Sequence, residues 1–66
     1  MLHPPVQARV ESVVLGVQLA HVVVRVTEDR LVETFITRAR AEQLKLHIGK
    51  RITTQITDSE VLFQKD

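Results

Sequence analysis

Cysteine is absent from this chain, and with it go disulfide cross-links and thiolate metal sites. Tryptophan and tyrosine are missing too, leaving Phe35 and Phe63 as the whole aromatic complement. Proteins that grip single-stranded nucleic acid stack bases on aromatic side chains over a cationic groove, so nucleic acid is an unlikely partner by composition. Charge argues the same way. Nine cationic and eight anionic side chains leave a formal net charge of +1, too little to steer a duplex or coat an anionic membrane. No apolar run approaches the ~20 residues of a membrane span. The opening MLHPPVQAR lacks the cationic and then apolar regions of a secretory signal. A cytoplasmic protein with no membrane partner is the expectation.

Recognisable catalytic patterns are also scarce. There is no glycine-rich phosphate loop among only two glycines. His3, His21 and His47 are too dispersed to show a metal-ligand spacing. None of them stands in a recognisable relation to a nucleophilic hydroxyl and an orienting carboxylate, so no enzymatic activity is expected. Chain length adds a physical constraint. Sixty-six residues make a single domain, and a chain of that size buries only ~60% of its unfolded surface. With disulfides excluded and no metal spacing evident, association between subunits is the remaining way to gain stability.

What the chain has in abundance is β-branched residues. The segment Val10–Val26 holds eight of its eleven valines, in two runs that pivot on Gly16. Pro4 and Pro5 delay the first strand, since neither can donate a backbone hydrogen bond. From Val6 the pattern alternates, with Val6, Ala8 and Val10 facing one way and Gln7, Arg9 and Glu11 the other. At Val13-Val14-Leu15 both faces turn apolar, as where a strand crosses a barrel or lies under a partner. Gly16 is read as a turn residue. A second strand is predicted from Gln18 to Val26, a polar turn at Thr27–Arg30, and a third strand from Leu31 to Ile36.

The period then changes. Thr37 is a good N-cap, and a short helix is predicted from Arg38 to Leu46, with Ala41, Leu44 and Ile48 as its buried stripe. Glu42 is placed toward the positive end of its dipole, Lys45 and His47 toward the negative end. Gly49 closes it in the position after the C-cap. A fourth strand, Arg51–Ile56, puts Ile52, Thr54 and Ile56 on one face. Thr57-Asp58-Ser59 turns into a last strand, Glu60–Phe63. Five strands with one helix between the third and fourth is the element order of an OB-type barrel, a mainly-β fold. Phe35 and Phe63 are expected in its core, and His21 as a hydrogen-bonded core or interface histidine. Arg38, Arg40, Lys45, Lys50 and Arg51 are read as a solvated face, or else as a modest anion-binding surface.

The series VQARVESVVLGVQLAHVVVRV and FITRARAEQLKLHIGKRITTQITDSEVLF resembles a molbindin (Mop) domain, also called a TOBE domain. Gly16 and Ala20 match the bend of that pattern, Ile36-Thr37 the helix entry, and Leu44-Lys45-Leu46-His47-Ile48-Gly49 its exit. Ser59 and Val61 match the closing turn, so the likeness runs from Val6 to Phe63. Val17-Gln18-Leu19 replace Ala-Val-Asn in the bend, and Thr57 stands where the family has lysine.

The resemblance implies an OB-like fold whose subunits form a homohexamer, a trimer of dimers, with molybdate or tungstate held between subunits. Its function would be intracellular oxyanion storage or buffering, or a structural and regulatory role beside a molybdate transporter or regulator. The implied oxyanion contacts are backbone donors at Gly16, Val17 and Gln18 and the hydroxyls of Thr37, Thr57 and Ser59. His3 falls where the family has an arginine and would carry charge only when protonated.

Overall fold

Alternation of apolar and polar residues produces the first strand, β1 (Val6–Leu15), in a computed structural model that describes residues 4–57 and 61–64. It is followed by β2 (Leu19–Thr27), β3 (Arg30–Thr37), the helix α1 (Arg38–Gln43), β4 (Arg51–Ile56) and β5 (Val61–Phe63). All pairings are antiparallel, and the sheet order is β3-β2-β1-β4-β5. β3 also touches β5, so the sheet curls into a nearly closed OB-like barrel, with α1 between the third and fourth strands as the element order predicted.

The valines explain why the barrel holds. Ala8 and Val10 of β1, Ala20, Val22 and Val24 of β2, Ile52 of β4 and Val61 of β5 all point inward and are buried. Ala41 and Leu44 from the helix region join them. Each such Val or Ile side chain contributes roughly 1.5–3 kcal/mol when fully buried. Thr54 is the polar member of this interior, and its hydroxyl donates to the Val6 carbonyl at 3.2 Å.

β1 does not pair uniformly. Val10 lies opposite Val24 but Ser12 lies opposite Val23, so Glu11 is an extra residue, a β-bulge. Before the bulge, β1 pairs with both β2 and β4; after it, Ser12–Leu15 pair with β2 alone. Val10 bridges the change, accepting from the Gly49 amide and donating to the Lys50 carbonyl, both at 2.8 Å. Of the doubly apolar Val13-Val14-Leu15 beyond it, Val13 packs on the core while Val14 and Leu15 are exposed.

The helix departs from expectation at its end. Thr37 caps it as predicted, its Oγ1 accepting the Arg40 amide at 3.1 Å. The helix ends at Gln43, though, and Leu44 is the C-cap. Lys45, not Gly49, takes the left-handed position after the cap, with φ of 55°. Lys45 N–H then donates to Glu42 and Leu46 N–H to Ala41, the paired bonds of a Schellman motif. Its half-buried Leu46 packs on the core. That hydrophobic contact outweighs the preference for glycine at the turn. Two further corrections follow from the shorter helix. Glu42 falls in the last turn, where Arg38 four residues earlier pairs with it at 2.8 Å, and Ile48 leaves the buried stripe to stand 72% exposed. Gly49 serves the next loop instead, with φ of 90°.

Phe35 also moves. Its register partner is His21, on the outer face of the sheet, and it is 65% exposed. Phe63 is half-buried against the core as expected.

Candidate functional site

Among the residues implied as oxyanion contacts, those around Gly16 come together. The Gly16 amide donates to the Leu19 carbonyl at 2.7 Å and closes the three-residue connection of Gly16, Val17 and Gln18 from β1 to β2. Gly16 is required here by close approach and not by a left-handed conformation. A Cβ on it would stand 2.8 Å from the Leu19 carbonyl oxygen, and its φ is not positive. Among the described residues, neither Val17 N–H nor Gln18 N–H makes a backbone hydrogen bond. Val17 is 91% exposed.

Thr37 reaches this bend through sheet register, paired with Leu19. The first helical residue follows it in: the Arg38 amide donates to the Gln18 carbonyl at 2.8 Å, and Arg38 Nη1 donates to the Gly16 carbonyl at 3.3 Å. Arg38 is thus held over the bend from one side by Gly16 and from the other by Glu42, to which its Nε donates at 2.8 Å. The Thr37 hydroxyl accepts in the cap and keeps its own proton for donation. The bend therefore combines a guanidinium, two amides without backbone partners and a hydroxyl, a donor set suited to an anion.

Thr57 is not part of it. β4 runs antiparallel to β1, so Thr57 follows the end of β4 that lies beside Val6, while Gly16 follows the other end of β1. His3 and Ser59 lie outside the described residues. From the sequence, Arg38 was read as part of a solvated face or of a modest anion-binding surface, and not as a neighbour of the bend. The adjacency of Leu19 and Thr37 across two strands is what carries it to the bend.

The other basic residues divide. Arg40 donates Nη2 to the Phe63 carbonyl at 3.2 Å and closes the seam between α1 and β5. The Lys50 ammonium donates to the Leu44 carbonyl and steadies the loop after the helix. Arg51 belongs to neither group; it lies on the outer face opposite Arg9.

His21 is half-buried on the outer face. Its Nε2 lies 3.1 Å from a Glu33 carboxylate oxygen and its ring centroid 4.8 Å from that of Phe35. Around this pair sits the exposed apolar surface of Val14, Leu19 and Phe35. The described residues contain no cluster of three or more His, Asp or Glu able to hold a metal, and no helix among them is long and apolar enough to cross a membrane. Comparison with protein families, with curated proteins and with solved structures finds no match to this chain.

Proposed function

We propose that this chain is a self-associating, non-catalytic binding module that holds molybdate or tungstate in the cytoplasm at junctions between copies of itself. The observation that supports it is the bend. Arg38, the Val17 and Gln18 amides and the Thr37 hydroxyl offer cationic and neutral donors from two adjoining segments, the β1–β2 bend and the β3–α1 junction. A tetrahedral dianion is bound by converging donors of these kinds. Thr57 stands at the other end of β1, so a site that uses both requires the bend of one copy and the Thr57 end of another. That arrangement accords with a small chain whose own core is thin.

Titration calorimetry with molybdate, tungstate and sulfate tests it, on the wild type and on Arg38→Gln. The expected result is heat with molybdate or tungstate that Arg38→Gln abolishes or sharply weakens. Absence of heat with all three anions from folded wild-type protein refutes anion binding. Sedimentation should show a species well above the 7.5 kDa monomer.

A second reading draws on the outer face. Val14, Leu19 and Phe35 are 60%, 53% and 65% exposed on neighbouring strands, an apolar patch of the sort that marks interaction surfaces. On that reading the fold is a docking module of a molybdate transporter or regulator and needs no bound anion. Self-association without any anion heat favours it.

A further inference from the structure

A different surface carries an independent inference. On the outer face, one transverse row crosses three strands: Arg51 of β4 lies opposite Arg9 of β1, which lies opposite Arg25 of β2. Like charges directly opposed on adjacent strands destabilise a sheet. The row is only partly neutralised. Glu11, the bulged residue, accepts from Arg25 Nε at 2.7 Å and from Arg9 Nη2 at 3.3 Å. Arg25 spends a further donor on the Glu28 carbonyl at 2.6 Å. The Arg51 side chain is exposed and has no hydrogen bond or ion pair among the described residues.

All three arginines line one open cleft of about 300 Å³, together with Gln7, Thr27 and Glu28. Three cations thus meet two carboxylates here, that of Glu28 in the lining and that of Glu11 paired with Arg25 and Arg9. Strands are spaced about 4.8 Å apart, so the row extends over roughly 10 Å of backbone. Guanidinium forks match phosphate oxygens in pairs. Three forks that each take oxygens in pairs match the six terminal oxygens of two linked phosphoryl groups better than the four of one tetrahedral anion. The volume is at the small end of ligand sites.

We propose that this cleft binds a small molecule bearing a diphosphate group, with Arg51 as the primary fork, Arg9 as the second, and Glu11 as an internal competitor for the arginines. Glu11 holds Arg25 and Arg9 while the cleft is empty and gives way in part when phosphate arrives.

Calorimetry at low salt tests this with inorganic pyrophosphate, orthophosphate and molybdate as probes. The variants are Arg51→Gln, Arg38→Gln and Glu11→Gln, each checked for native circular dichroism. Pyrophosphate should bind more tightly than orthophosphate. Arg51→Gln should weaken pyrophosphate by about tenfold or more, the loss expected for a charge-assisted hydrogen bond. Arg38→Gln should leave pyrophosphate unchanged, whatever it does to molybdate, which separates this site from the bend. Glu11→Gln should tighten pyrophosphate, a gain that a purely structural role for Glu11 does not produce. Equal pyrophosphate affinity in wild type and folded Arg51→Gln overturns the proposal. So does an absence of heat at millimolar pyrophosphate, or a short single-stranded oligonucleotide that displaces pyrophosphate at lower concentration.

Discussion

The two faces of β2 are one residue apart in sequence and behave as different materials. Inward, Ala20, Val22 and Val24 are sealed from solvent. Outward, Leu19 is exposed and His21, Val23 and Arg25 are half-buried, so this face mixes apolar, titratable and cationic groups. The inner face is nearly uniform because its one task is packing, and any small β-branched residue of the right volume performs it. The outer face is heterogeneous, and on it lie both the apolar patch around Phe35 and the arginine row. Stability resides on one side of the sheet, and recognition has its material on the other.

A charge on each face in turn would break the comparison most severely if it is wrong. Val22→Asp places an unpaired carboxylate in the core at a cost of about 3–5 kcal/mol, comparable to the whole stability of a domain this small. The variant should lack a cooperative melting transition by circular dichroism. Val23→Asp, one residue along, should remain folded and lose less than about 1 kcal/mol. Equal damage at both positions would mean that the outer face is as buried as the inner.

Thr37→Ala should cost about 1 kcal/mol by removing the cap that holds α1. For a domain of this length that is a melting-temperature drop of about 4–8 °C, and Thr37→Ser should recover most of it. Phe35→Ser should lower stability by less than about 1 kcal/mol, since it forfeits little beyond the His21 ring contact. It should still reduce the sedimenting mass if the outer patch joins copies. Unchanged sedimentation would remove Phe35 from any interface.

The smallest effect concerns Glu11. Its carboxyl is held below the ordinary value of 4.5 by the hydrogen bond from Arg25 and then by that from Arg9. A depressed folded-state value stabilises the fold above the unfolded value and loses that contribution as pH falls through the folded one. The melting-temperature gap between wild type and Glu11→Gln should therefore be widest near neutrality and shrink below the ordinary carboxylate range. A gap independent of pH would show that the ion pairs of the bulge add nothing to stability.

Much of the architecture was legible because period-two alternation is a local signal. Arg51–Ile56 was bounded correctly, the Thr37 cap was read from residue type, and the order of strands and helix followed from where the period changed. Local signals misled where a nonlocal contact competed with them. Gly49 was the obvious helix terminator, but Leu46 packs on the core and draws the turn forward to Lys45. Phe35 was assigned to the core by hydrophobicity, whereas pairing with His21 sets it on the outside. Gly16 was recognised as a pivot for the wrong reason: the Leu19 carbonyl, not backbone handedness, excludes a side chain there. The candidate bend was half visible. Gly16, Val17, Gln18 and Thr37 meet, while Arg38 had been grouped with the other basic residues, as a solvated face or a modest anion-binding surface, and not with the bend.

By itself, then, the amino-acid sequence determined a valine-lined β-barrel, because side-chain burial in a strand follows a two-residue period that any reader can count. It could not determine which outward residues become neighbours. Arg9, Arg25 and Arg51 are widely separated along the chain and carry no common motif. Only the antiparallel register of β4, β1 and β2 sets them in one row. Register depends on the pairing of whole strands, and that is a property of the folded sheet.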